Sequence, residues 1–199
     1  MKSLRNKFLS AVTGVVLAVM SLAANASPIQ FIYTGTGSGS LGGSTFSSAA
    51  FTFTQFGDTS TKQSCGIGCT FIDAVSASVS IAGLGSYAFV TGTRTFDYQG
   101  LVGFSRAGAG GADLYNVFNV GPTYDMASSV GPISGSANLL QWSLSPIVTA
   151  GGTLVFNNAS TLGTFQAVTA VPEPETYALM LAGLGLMGAV ARRSKVSRG

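Results

Sequence analysis

The sequence predicts an all-β protein. It reads as a single antiparallel β-sandwich or jelly-roll-like domain over residues 27–170, flanked by an N-terminal signal peptide (1–26) and a C-terminal single transmembrane helix within 171–195. Three observations carry this. Short runs of β-branched and aromatic residues alternate with clusters of Gly, Ser, Asn and Asp, as in a many-stranded antiparallel sheet. Hydrophobic residues make up 46% of the 199 and charged residues only 9%, so the chain has material for a core and lacks the composition of a disordered one. The charges are also unevenly placed. Lys2, Arg5 and Lys7 stand at one end and Arg192, Arg193, Lys195 and Arg198 at the other, while the long middle keeps Lys62, Arg94 and Arg106 against five aspartates.

The N-terminal 26 residues have the three parts of a secretory signal peptide: a basic start, an apolar run over 8–23, and a small-x-small pattern at Ala24-Asn25-Ala26. Cleavage by signal peptidase after Ala26 puts the mature N-terminus at Ser27. With the basic residues assigned to the two ends, the middle is slightly acidic. A nucleic-acid surface, which needs clustered Lys and Arg on the folded domain, is not expected.

The clearest strand is 74–81, where Val75, Ala77, Val79 and Ile81 alternate with Ala74, Ser76, Ser78 and Ser80. That period of two suits a sheet with one wet face. Further strands are expected at 29–34, 50–56, 87–91, 101–104, 115–120, 139–144, 152–156 and 163–168. Turns are expected at 35–43, Gly57-Asp58, 83–86, 108–111, Gly121-Pro122 and Gly131-Pro132, where Gly and Pro punctuate the pattern. No helix is expected inside the domain. Its wet faces carry Ser, Thr, Asn and Gly rather than charge, and few lysines guard the sheet edges, which leaves self-association open.

The C-terminus is again tripartite: Val171-Pro172-Glu173-Pro174, an uncharged apolar run over 177–191, and the basic cluster of Arg192, Arg193 and Lys195. As a helix the apolar run rises about 22 Å, short of the roughly 30 Å hydrocarbon layer but tolerable through thinning and snorkelling. The basic cluster then acts as a membrane stop on the cytoplasmic side.

The stretch from Val171 through Pro172, Glu173 and Pro174 to Arg192-Arg193 resembles the PEP-CTERM sorting signal of exported bacterial proteins, with Glu175 standing where a small residue is commoner. The resemblance covers about an eighth of the chain. It implies recognition by an exosortase, a membrane-embedded cysteine transpeptidase-like enzyme, in a Gram-negative bacterium that makes exopolysaccharide. Pro172, Glu173 and Pro174 are then the recognition element, with processing nearby and loss of the helix and tail. Gly183, Gly185 and Gly188 give that helix small faces suited to packing against another membrane helix.

The domain itself shows little chemistry. The chain has no histidine, so Ser-His-Asp and Cys-His machinery, His-ligated metals and histidine pH switches are excluded. Cys65 and Cys69 are its two cysteines and are expected to form a disulfide in an oxidising compartment, with Gly66 and Gly68 easing so small a ring. Asp58, Asp73, Asp97, Asp113 and Asp125 are scattered without the Asp-x-Asp spacing of a calcium loop, so turn capping is the expected role and no metal or cofactor is expected. A glycosidase needs two facing carboxylates, and none can be paired from the sequence. No enzyme activity is expected. Trp142 with Tyr33, Tyr87, Tyr98, Tyr115 and Tyr124 is either core or a sugar-stacking platform, with core favoured and Trp142 expected to point with Leu144 from one strand. The glycines at 108–111 lack the Gly-Lys-Ser/Thr ending of a phosphate loop. Two roles follow: a structural component of an exopolysaccharide or biofilm matrix, or a lectin-like carbohydrate-binding module.

Overall fold

The computed structural model describes residues 27–108, 113–121, 124–142 and 147–169, together with 180, 181, 183–185 and 187. Thirteen strands follow one another: β1 (Pro28–Leu41), β2 (Ser44–Asp58), β3 (Gln63–Gly66), β4 (Cys69–Asp73), β5 (Ser76–Ile81), β6 (Gly85–Ala88), β7 (Thr93–Tyr98), β8 (Leu101–Arg106), β9 (Asp113–Val117), β10 (Val130–Leu139), β11 (Ile147–Thr149), β12 (Gly152–Ala159) and β13 (Leu162–Thr169). Every pairing among them is antiparallel. The described part of the domain over residues 27–169 is built of antiparallel strands, consistent with the all-β class that composition and punctuation predict. Within the apolar run near the C-terminus, Met180, Leu181, Leu184 and Met187 are helical and exposed. Among the described residues no helix is long and apolar enough to cross a membrane.

The strands run in the order β3-β4-β7-β8-β9-β10-β13-β1-β2-β5-β6, with β12 and β11 added along the second half of β1. The path folds back on itself at β10. Its first part, Val130–Ser136, pairs with β13, and its last part, Ala137–Leu139, pairs with β9. One strand thereby belongs to two sheets and forms the corner between them. At the other side, Phe89 bridges Thr149, Val90 donates to the carbonyl of Val148 at 2.8 Å and Ala150 to that of Ala88 at 2.8 Å. These bonds tie the end of β6 to β11 and cover what would be an open edge.

The two sheets meet through aromatic rings. Phe53 of β2 stacks on Phe104 of β8 with centroids 4.5 Å apart and planes 10° apart, and Tyr33 of β1 meets Phe104 and Tyr115 edge-on. Offset and edge-on pairs of this kind add about 0.5–1.5 kcal/mol each beyond area burial. Ile29, Phe31, Val79, Ile81, Val102 and Phe165 complete the buried layer.

Three expectations are corrected. The glycine-rich stretch 35–43 is not one long turn: β1 continues to Leu41 and only Gly42 and Gly43, at φ 56° and 91°, make the reversal into β2. The preceding glycines serve close approach instead, since a Cβ on Gly37 would lie 2.8 Å from the Asn158 carbonyl of β12 and one on Gly39 would collide with that of Val155. Gly131-Pro132 is likewise no turn but an irregularity inside β10, between Val130 opposite Ala167 and Ile133 opposite Phe165. The strand expected at 139–144 is displaced, because β10 ends at Leu139 and Trp142 lies in the turn that follows.

Candidate functional site

β7 has an inverted pattern. Thr93, Thr95 and Asp97 face the interior and are buried, while Arg94, Phe96 and Tyr98 lie on the outer face. The alternation is that of any strand, but the large apolar groups are spent on the outside. The buried polar row is poorly matched. The Thr95 hydroxyl donates to Gln55 Oε1 and Tyr33 donates to the Gly103 carbonyl at 3.0 Å, yet Thr93 Oγ1, Asp97 Oδ1 and Gln55 Nε2 find no partner among the described residues. Burial pushes the Asp97 carboxyl above its ordinary range, with the Gly100 N–H opposing.

The outer face is a groove of about 580 Å³ across β4, β7, β8 and β9. Its register places Phe71 opposite Phe96, Cys69 opposite Tyr98, Tyr98 opposite Leu101 and Phe96 opposite Gly103. Phe96 and Asn116 close over Gly103 from two sides; a Cβ there would strike the Phe96 ring and sit 2.5 Å from Asn116 Oδ1. Glycine at 103 is what lets both side chains lie down on β8. Asn116 is only 6% exposed, lines the groove, and its Oδ1 has no hydrogen-bond partner among the described residues. Its side chain also bonds the neighbouring carboxylate of Asp113, whose proton affinity is raised by burial and reduced by that bond. Arg94 caps the third side: its guanidinium lies 4.2 Å above the Phe71 ring centroid, and its Nε donates to Asp73 Oδ1 at 2.9 Å. Tyr98, 49% exposed, stands on the rim.

One end of the groove is built by the expected disulfide. Cys65 and Cys69 are bonded, with Cα atoms 5.1 Å apart, across the β3–β4 hairpin. Gly66 and Gly68 take φ of 136° and 68°, a region other residues enter at a cost. The stapled turn presents Ile67 at 96% exposure. Gln99 donates to the Gly68 carbonyl at 3.2 Å and so holds this hairpin to the β7–β8 turn.

The remaining sequence candidates are dispersed. Trp142 is core: it is buried, packs on Phe53 and Phe156, and its Nε1 donates to the Leu114 carbonyl at 2.7 Å. Tyr33 and Tyr115 are core too. No platform joins the tryptophan to the tyrosines. Asp58 caps a 3₁₀ turn at Thr59–Thr61, Asp73 pairs with Arg94, and Asp125 closes the turn to Ser128. Among the described residues no three Cys, Asp or Glu side chains gather as a metal site. Phe71, Arg94, Phe96 and Asn116 were not marked by the sequence. The Thr-Arg-Thr-Phe-Asp-Tyr alternation of β7 was the available signal, and its polar half reads as the wet face.

Ala24 and Ala26, Val171, Pro172, Glu173 and Pro174, and Arg192, Arg193 and Lys195 lie outside the described residues, as does Leu144. For the C-terminal part, the family model for the PEP-CTERM protein-sorting motif matches residues 170–195. The chain carries a PEP-CTERM sorting motif. This motif implies export through a membrane-anchored precursor and exosortase-dependent sorting to the cell surface or the extracellular space. No curated protein and no solved structure matches the chain.

Proposed function

We propose that residues 27–170 form a non-enzymatic passenger domain that the sorting motif delivers to the cell surface, where it serves as a structural component of an exopolysaccharide matrix. The match of the PEP-CTERM motif to residues 170–195 carries the reading. In it, signal peptidase removes residues 1–26 after Ala26. Pro172, Glu173 and Pro174 are recognised by the exosortase-type enzyme, and the apolar run with Arg192, Arg193 and Lys195 anchors the precursor until processing.

The domain supports a passive role in two ways. Its disulfide suits an oxidising destination. The two carboxylates that flank the groove stand too far apart for a hydrolytic pair: Asp73 of β4 and Asp113 of β9 are three strand spacings apart, or about 14 Å. Glycosidase pairs stand roughly 5–9.5 Å apart.

The test is fractionation of cells making the wild-type chain or the triple variant Pro172→Ala, Glu173→Ala, Pro174→Ala. Wild type should be recovered outside the inner membrane at reduced mass and retained in washed exopolysaccharide; the variant should stay membrane-bound at precursor mass. Identical mass and location for both would defeat the sorting role. A processed protein that never partitions with the polysaccharide would defeat the matrix role alone.

A further inference from the structure

We propose that the outer groove of β4, β7, β8 and β9 binds a chain of uncharged sugar units, with Phe71, Phe96 and Tyr98 packing against ring faces and Asn116 accepting from a hydroxyl. The proposal rests on the surface-delivery reading only for the supply of glycan; the binding itself is a property of the domain.

Four observations converge. First, Asn116 Oδ1 is an acceptor left without a partner among the described residues, in a side chain more than nine-tenths buried that lines the groove. A buried acceptor in that state costs about 1–3 kcal/mol unless a ligand or water satisfies it. Second, β7 turns its aromatic residues outward and buries Thr93, Thr95 and Asp97, two of which carry unmatched polar atoms. A strand selected for stability alone would do the reverse, so the exposed aromatic face has another use. Third, the chemistry is divided as a sugar ring is: flat apolar surface at Phe71, Phe96 and Tyr98, hydroxyl-matching amide and carboxylate at Asn116 and Asp113. Fourth, the groove continues. A second depression of about 370 Å³, which reaches Phe118 and Asn119, shares Leu101 with the first, so the surface suits successive units of a polymer better than one ring.

The same residues argue for an uncharged ligand. Among the described residues that line the groove Arg94 is the one basic side chain, and it is already committed to Asp73 and to the Phe71 ring. An anionic polysaccharide would find no uncommitted cation among the described lining residues and would meet Asp113. Charge attraction, which dominates binding to polyanions, is not available here.

The experiment uses the mature protein recovered from exporting cells, in native gels cast with dextran, mannan, a neutral galactan or alginate. At least one neutral polysaccharide should retard the protein, and alginate should not. Raising the ionic strength should leave the retardation unchanged. Asn116→Ala and Tyr98→Ala should each weaken binding by about tenfold or more, as loss of an anchoring contact does. Val75→Ser, an exposed site between β4 and β5, should bind as wild type. Melting curves accompany every variant. Should Asn116→Ala not fold, the rim position Tyr98 still decides. Retardation by none of the neutral polymers, retardation by alginate that fades with salt, or full binding by a folded Tyr98→Ala would overturn the proposal. So would a protein or peptide that competes for the groove while no glycan does. A domain that is sorted normally yet binds no neutral glycan would fail this proposal and leave the delivery reading intact.

Discussion

The Tyr115 hydroxyl of β9 donates to the Thr34 carbonyl of β1 at 3.1 Å, reaching from one sheet to the other through a gap that two glycines leave open. A Cβ on Gly35 would lie 2.7 Å from that hydroxyl, and one on Gly163 of β13 would collide with it. Tyr115→Phe removes only the hydrogen bond and should cost about 1 kcal/mol. Gly163→Ala forces a methyl into the occupied space and should cost about 1–3 kcal/mol. Joined in one chain, the two changes should cost less than their separate effects combined, because the missing oxygen makes room for the new methyl. Urea titration of the four proteins measures this coupling; strict additivity would show that the hydroxyl and Gly163 do not compete for space.

The disulfide between Cys65 and Cys69 closes a ring of about five residues, and loop-closure entropy for that length gives roughly 2 kcal/mol. The bond lies on β3 and β4 at the margin of the sheet, away from the Phe53–Phe104 stack. Reduction should therefore loosen the hairpin bearing Ile67 and leave the domain folded. Hydrogen exchange before and after reduction reads this directly: protection should fall at β3 and persist at β1 and β2. Global unfolding on reduction would mean the hairpin supports the core.

How much of this was legible in the sequence depended on whether a residue type has one physical meaning or several. Val79 and Ile81 alternate with serines, and they do point inward from β5, whereas Val75, expected on the same face, precedes the strand and is exposed. Glycine was ambiguous. At Gly42 and Gly43 it makes the turn its punctuation suggests, but at Gly37 and Gly39 the same residue admits β12 at close range, and no local pattern separates the two uses. β7 was not among the expected strands, and its alternation alone would not have placed it, since alternation tells which residues share a face and not which face is buried. The cysteine pair had no competing partner and was readable at once. The groove was not, because Phe71, Arg94, Gly103 and Asn116 come from four strands whose register exists only once the sheet has formed.

Four aspartates give the domain opposing responses to pH. Burial raises the carboxyls of Asp97 and Asp113, so the folded state holds their protons more tightly than the unfolded chain. Their contribution to stability declines as pH rises from the ordinary carboxylate value near 4 through the raised values. Asp58 and Asp125 are lowered by hydrogen bonds, the first mainly from Ser60 and the second from Ala127 and Ser128. Their stabilisation is present above that ordinary value and is lost as pH falls through the lowered ones. The combined contribution of these four groups should thus be greatest near pH 4, at about the unperturbed carboxylate pKa. Asp97→Asn should melt above wild type at neutral pH and close to it at the peak, while Asp125→Asn should flatten the acid limb. Circular-dichroism melts across pH test both slopes; an unchanged neutral limb in Asp97→Asn would rule out its buried carboxyl as the source.

Trp142 is the chain's one tryptophan and therefore a spectroscopic reporter. It is buried against Phe53 and Phe156, and its indole N–H is held by the Leu114 carbonyl. Its emission should be blue-shifted and resist quenching by iodide in the folded state. It is not among the residues that line the groove, so a neutral polysaccharide bound there should leave the emission maximum where it is, even at saturation. Trp142→Phe deletes the hydrogen bond and opens a void between the sheets, at a cost of about 2–4 kcal/mol, yet a folded variant should bind glycan as wild type does. A large emission shift on binding, or selective loss of binding in that variant, would relocate the sugar site to the Trp142 side of the domain and away from β7.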